Sequence, residues 1–285
     1  MIRRKRGRLW KRTAPLLVLC LLGLTGCARP AAGNIADTSP AVPGQTSSAL
    51  AQITIYSDEE EPQYDTEYYL PEERKEENGQ IRSYLTGQMV DALKGNRRPV
   101  AVMMSNDKAA LPQYGINRAG VVYEAPVEGD MNRYMAILED YDDLDRIGSV
   151  RSCRTCYVYF AREFDAVYAH YGQSDFAKPY LKHIDNINGL EAIGTTAYYR
   201  SKDRKAPHNA YTGGDRLKLA IRTLGYSDAY DSGYKGHYLF ARDGCVLTLD
   251  DRPGVIQAVR AEPGYTGNQA YFLYDAADGL YHRYQ

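Results

Sequence analysis

Gly148-Ser149-Val150-Arg151-Ser152-Cys153-Arg154 is the segment of this 285-residue chain best equipped for chemistry. Ile147 to Arg151 reads as extended. Ser152, a residue type that caps helix N-termini, predicts a helix running to Phe164. A strand handing over to a helix there would present unpaired backbone N–H groups beside two guanidinium forks, which suits phosphate or carboxylate. Glu124, Glu128 and Arg133 fall on the two preceding strand candidates and are expected along the same edge. Glu124 and Glu128, four residues apart, share one strand face. Two readings stay open: the arginines bind an external anion, or they pair with these carboxylates and organise the fold.

Other candidates surround this one. Cys153-x-x-Cys156 puts two thiols at i,i+3 near a helix start, where a thiol's pKa falls. The intervening Arg154-Thr155 lacks the Gly-Pro of thioredoxin-like sites, so the weight falls on unpaired thiols over a disulfide or a redox pair. His170 ends an apolar strand and His208-Asn209 sits in a turn, and all three could line a pocket. Five histidines without HxH or HxxxH spacing predict no metal site, and no cofactor is called for. Ser152 and Ser174 lie outside any G-x-S-x-G. No catalytic residue can be named, and enzymatic activity stays open, with the weight on a non-enzymatic chain.

The elements that must position these residues begin near Ser83. Arg98 to Met104 is a short apolar run opened by Pro99, the pattern of a buried strand. Val121–Glu128 and Arg133–Tyr141 read as two strands turning at Gly129-Asp130. Ala166–His170 is a further strand, Ser174 caps a helix to about Ile184, and Ala197–Arg200 is a short strand. A helix from Asp215 to Leu224 is ended by Gly225. Beyond it come short strand candidates at 237–241, 245–249, 255–261, 270–274 and 280–284. The expected fold is an α/β N-terminal domain, a mixed sheet with helices, over 83–225. A smaller mostly-β domain follows over 226–285. Its last strand would be a bare edge, or the chain would be truncated.

The first eighty residues supply an address. Seven Lys and Arg precede an apolar run, Ala14 to Leu24, and then Leu24-Thr25-Gly26-Cys27, a lipobox pattern. The run is too short to span a bilayer core, which needs about 20 residues. The expectation is a signal peptide over 1–26, cleavage before Cys27, and acyl chains on its thiol. Residues 27–82, rich in Ala, Pro, Ser and then Glu, read as a disordered tether with a reach of roughly 40 Å. Cleavage would leave 28 Lys and Arg against 36 Asp and Glu, a net charge of −8. That balance argues against nucleic acid and against electrostatic adhesion to anionic lipid, leaving the acyl chains as the membrane contact. The 26 tyrosines are read as strand residues with hydroxyls at the rim.

Taken in order, Ser83-Tyr84-Leu85-Thr86-Gly87, Asn96 to Met103, Ala119 to Glu124, Val127-Glu128-Gly129, Arg133, Ile147 to Ser152, His170 to Ser174 and His208 to Tyr211 resemble the YerB-type bacterial lipoprotein family. The resemblance covers roughly Ser83 to Gln285. It implies an exported lipoprotein of two domains of unknown function on the outer face of the cytoplasmic membrane, and it brings no reaction. The family pattern continues past a strand like Leu280–Tyr284 and does not call for Cys153 or Cys156. The reading that follows is a non-catalytic cell-envelope module whose partner is wall polymer or a membrane-bound wall-synthesis protein. The alternative is binding or transfer of a polyprenyl-pyrophosphate-type intermediate, since the Arg-Ser-x-Arg turn is similar, at motif level only, to one in LytR-CpsA-Psr glycopolymer transferases.

Overall fold

The computed structural model describes residues 69–70, 74–245 and 254–285. Cys27, the signal segment and most of the tether lie outside these described residues, as does most of the 245–249 strand candidate. In chain order come a small antiparallel pair, β1 (Gln80–Arg82) and β2 (Met89–Asp91), and a single-turn helix α1 (Ala92–Gly95). Then follow β3 (Val100–Ser105), β4 (Val121–Pro126), β5 (Asn132–Leu138) and β6 (Ile147–Gly148). Helix α2 (Thr155–Glu163), β7 (Val167–His170), α3 (Lys178–Leu181) and β8 (Asn186–Asn188) come next. The remainder is α4 (Gly194–Ala197), β9 (Tyr199–Arg200), β10 (Ala210–Thr212), α5 (Gly214–Leu224), β11 (Arg260–Ala261), β12 (Tyr271–Asp275) and β13 (Leu280–Tyr284).

A five-stranded mixed sheet in the order β4-β5-β3-β7-β8 is the centre of the fold. β3 and β5 are buried at every residue, because layers cover both sheet faces, and their sequences are accordingly continuous apolar runs rather than alternating ones. Val100, Val102 and Met104 join Tyr134, Ala136 and Leu138 on the face covered by α4 and α5. Ala101 and Met103 join Met135 and Ile137 on the face covered by α2, through Tyr157, Val158 and Ala161. Each fully buried aliphatic here contributes roughly 1.5–3 kcal/mol. Gly129 (φ 73°) and Asp130 (φ 56°) make the predicted hairpin turn between β4 and β5. Gly225 (φ 71°) ends α5 in the left-handed conformation, which glycine adopts without a Cβ penalty.

Two three-stranded sheets, β6-β10-β9 and the C-terminal β11-β12-β13, both smaller than the central sheet, complete the described architecture. This is the mixed α/β sheet with a smaller mostly-β region that the sequence predicts. β13 is an edge of its sheet.

Several local expectations are corrected. Helix α2 starts at Thr155 with Arg154 at its N-cap, and Ser152 does not cap it. The Ser152 hydroxyl instead donates to Tyr171 O at 3.0 Å, because residues 149–153 are held extended by other strands. The Ser174 segment forms a 3₁₀ turn and then one α turn, without a side-chain cap. Residues 237–241 form no strand; Ala241 makes only an isolated bridge to Tyr69. Several tyrosines are wholly interior rather than at a rim, among them Tyr141, Tyr157, Tyr168 and Tyr211.

Candidate functional site

Parallel strands β3 and β7 pair through Val102↔Ala169 and then part. Residues 149–153 fill the gap. Ser105 N donates to Ser149 O, Arg151 N to Met103 O, Tyr171 N to Arg151 O, and Cys153 N to Gly172 O. The chain therefore wedges between the C-terminal ends of two parallel strands, the place where open α/β sheets form crevices. It delivers Arg151 to that end of the sheet and Arg154 to the start of α2.

Arg133 arrives from β5, whose N-terminal end lies beside the C-terminal end of β3 through the pair Ser105↔Arg133. Its backbone is fixed by α2: the Tyr157 hydroxyl donates to Arg133 O at 2.6 Å and accepts from Ala125 N at 3.0 Å. Arg133 as a residue is 6% exposed, and its side chain donates through Nη1 to Ser152 O at 2.5 Å. Its other N–H groups have no hydrogen-bond partner among the described residues, and no carboxylate lies within ion-pair distance. Burial, reinforced by the charges of Arg154 and Arg151, pushes its pKa down to about 10. A guanidinium so placed is short of negative charge.

Arg151 donates to Pro207 O at 3.0 Å and likewise has no ion pair among the described residues. Burial lowers its pKa; Asp107 opposes the shift and Arg154 adds to it. Arg154 grips Glu128 through Nε, at 2.7 and 2.6 Å from the two carboxylate oxygens. His208 stands beside Asp107, with Nε2 4.0 Å from Oδ1, and its Nδ1 is buried without a partner. Burial draws the His208 pKa below its ordinary value, against the pull of Asp107, so the ring is neutral at pH 7. The corner therefore gathers Arg133, Arg151 and Arg154 around two acids, Glu128 and Asp107, leaving one positive charge without an acid to balance it. In a low-dielectric corner such an excess favours an anion.

Three predicted residues are not part of it. Side chains directly opposite across a strand pair share a face, and Glu124 pairs with Tyr134 while Arg133 pairs with Ala125. Glu124 thus points to the opposite sheet face from Arg133, where it meets Arg283, Asn106 and Asn132. His170 is fully buried and its two ring nitrogens face Gly172 O and Asn186 Oδ1, so it is a core residue. Asn209 accepts from Arg200 and donates to Ser201 O, tying a loop together. The sequence reading missed Asp107. It sits in the turn-rich 106–120 segment, where Asp is expected as a cap and no local signal marks a binding role.

The thiols behave unlike a redox pair. Cys153, Cys156 and Cys245 are all free. Burial pushes the Cys153 thiol up to about 11 and raises Cys156 as well, which outweighs the helix terminus. Asp275, Asp278 and His282 bring three possible metal-ligand atoms within 4.8 Å of one another, all on exposed residues. A cavity of about 860 Å³ opens at the other end of the sheet, near Arg98, Arg162, Lys182, Tyr230 and Tyr234. There Arg98 is already bonded to Asp165 and Asp185.

The chain has relatives. The family model described as "Protein of unknown function (DUF3048) N-terminal domain" matches residues 85–227, a stretch containing every residue of the arginine corner. "Putative lipoprotein YerB" of Bacillus subtilis (strain 168) is 36% identical over 148 residues, which cover 51% of this chain and 44% of that protein. A crystal structure of the YerB protein from Bacillus subtilis superposes with a TM-score of 0.55 at 28% identity, covering 71% of this chain and 66% of that one. The chain spans less than two thirds of the length of these relatives.

Proposed function

This chain belongs to the family of proteins of unknown function whose N-terminal domain it carries, and from that premise we propose that it is a lipid-anchored envelope protein that holds an anionic, phosphate-bearing envelope component in the Arg133–Arg151–Arg154 corner. The lipobox at Cys27 and the likeness to a protein named as a lipoprotein support an anchor at the outer face of the cytoplasmic membrane. The observation behind the ligand class is Arg133: a residue 6% exposed, its guanidinium with no acid in ion-pair distance among the described residues, beside two further arginines. Placing a positive charge in that setting is costly unless an anion completes it.

Binding is favoured over transfer. Group transfer needs a nucleophile or base aimed at the bound group. His208 beside Asp107 offers a base, but the nucleophile is missing from the corner as described: the Ser152 hydroxyl is turned to Tyr171 O, and His170 is sealed in the core. The envelope partner is then a phosphorylated polymer or lipid-linked precursor held without reaction. Titrating the full chain with inorganic pyrophosphate tests this. Saturable binding that weakens as salt rises supports it, and a titration with no saturation at low salt removes it.

A further inference from the structure

At the far end of α2 from the arginine corner, four side chains from three parts of the chain bring ligand atoms together. Tyr123 stands on β4, Glu163 is the last residue of α2, and His237 and Tyr238 follow in the segment after α5. The Tyr123 hydroxyl donates to Glu163 Oε2, and His237 Nε2 lies 3.2 Å from that same oxygen. The Tyr123 and Tyr238 hydroxyl oxygens are 3.4 Å apart. Helix α2 holds the rings in place. Phe160 stacks on Tyr123 with centroids 4.4 Å apart, and Phe164 meets His237 at 5.3 Å and Tyr238 at 5.6 Å. The Tyr234 hydroxyl ties the loop down by donating to Glu163 O at 3.0 Å.

Donor atoms that share one six-coordinate ion at about 2.1 Å stand about 3 Å apart along each edge of the polyhedron. The 3.2 and 3.4 Å separations fit such edges. Two phenols, a carboxylate and an imidazole form a hard, oxygen-rich set, unlike the thiolates that select zinc or copper(I). With both phenols ionised the set carries three negative charges, which balance a trivalent cation in full; a divalent ion would leave one over. The adjoining cavity of about 300 Å³ is bordered by His237, Tyr238, Arg74, Arg82 and Lys235, with Asp243 3.8 Å from Arg82. A field of that sign favours ionised phenols and a small anion in the remaining coordination positions. His237 is 36% exposed and Tyr238 40%, so an ion has a way in.

We propose that Tyr123, Glu163, His237 and Tyr238 form a binding site for ferric iron. Loading forms two iron–phenolate bonds and releases two phenol protons to solvent; the iron stays ferric and no electron moves. Burial, and then the hydrogen bond to Glu163, raise the Tyr123 phenol above its ordinary value, so Tyr123 keeps its proton until a metal displaces it. Phe160 and Phe164 act as the supports that keep metal ligands aimed at one point. The site shares no residue with the arginine corner and does not depend on it. Histidine spacing, on which the expectation of no metal rested, is blind to this set: Glu163 and Tyr238 lie 40 and 115 residues beyond Tyr123, and half the donors are phenols.

Colour tests it, because a phenolate bound to ferric iron absorbs visible light by charge transfer to the metal. The full chain is titrated with ferric nitrilotriacetate and followed by visible absorption, with resonance Raman to identify bound phenolate. A band that saturates at one equivalent is expected. Tyr238→Phe, at an exposed position where folding is safe, should cut the band to about half, and Tyr123→Phe with Tyr238→Phe should abolish it. His237→Gln should weaken loading about tenfold or more. Asp278→Asn, in the exposed cluster with Asp275 and His282, should leave the band unchanged, and circular dichroism checks that each variant is folded. No band at one equivalent, a band indifferent to Tyr238→Phe, loading indifferent to His237→Gln, or a band lost with Asp278→Asn would overturn the proposal.

Discussion

Arg283, on the last strand, closes a two-point ion pair on Glu124 of β4, with Nε–Oε2 at 2.7 Å and Nη2–Oε1 at 2.8 Å. Asn106 and Asn132 each donate to the same carboxylate at 3.1 Å, and only 10% of the Glu124 side chain is exposed. The charge of Glu124 is therefore neutralised on one sheet face while the arginine corner stays electropositive on the other. The contact also fastens the C-terminal sheet to the central one, helped by Tyr265 donating to Glu124 O at 3.0 Å.

Arg283→Met is expected to leave a nearly buried carboxylate without its cation and to destabilise the protein by about 1–3 kcal/mol. Amide exchange in residues 271–284 should accelerate more than in β3 and β5. Urea unfolding together with hydrogen exchange reads both; unchanged exchange in the C-terminal strands would show that the pair does not hold that sheet.

Asp142 is expected to contribute to acid stability. Arg97 grips it at 2.9 Å through two nitrogens and Lys218 approaches to 3.1 Å, and the Arg97 hydrogen bonds hold its carboxyl down at about 2, below the ordinary 3.8. A carboxylate depressed in the folded state adds stability above its unfolded value, and that stability is lost as pH falls through the folded value. Stability should thus drop between pH 3.8 and about 2, and Asp142→Asn should flatten that part of the curve. Parallel acid curves for the two proteins would contradict the assignment.

Glu128 is 64% exposed, so its pair with Arg154 is worth little to the fold. Glu128→Gln should change stability by less than about 0.5 kcal/mol. It should also tighten pyrophosphate binding roughly two- to fivefold, by releasing Arg154 from a competing carboxylate. Calorimetric titration of the variant decides it, and weaker binding would mean that Glu128 serves the ligand.

Cys153, buried and with its thiol pushed up to about 11, should resist iodoacetamide at neutral pH until the chain unfolds, because the thiolate is the reacting form. Mass spectrometry of trypsin fragments reads this directly. Rapid labelling of native Cys153 would restore the redox reading.

Much of this fold is legible in the sequence because its signals are local. The apolar run opened by Pro99, the Gly129-Asp130 turn and the Gly225 stop each act within a few residues. Arg151 and Arg154 are legible for the same reason. Glu124 is not, because its partner face depends on the register of β4 against β5, and one residue of parity sends it away from Arg133. Its cation, Arg283, lies 159 residues away, and no spacing rule reaches that far. Ser152 carries a capping side chain, but the strand ends on either side keep it extended and delay the helix to Thr155. His170 ends an apolar run in sequence and is interior in space, since β8 and the 171–173 turn close over it.

The measurement that bears most directly on the account is pyrophosphate affinity across four full-length chains: the unaltered protein, Arg151→Ala with Arg154→Ala, Arg133→Met, and Arg216→Ala as a remote control. Arg216 stacks over Tyr199 and donates to Thr196 O, outside the corner. The corner reading predicts affinity lowered about tenfold or more by either corner change, from losing charge-assisted bonds of about 1.5–3 kcal/mol. It also predicts no change for the control, with circular dichroism showing all four folded. Equal affinity in all four would contradict an anion site at Arg133, Arg151 and Arg154.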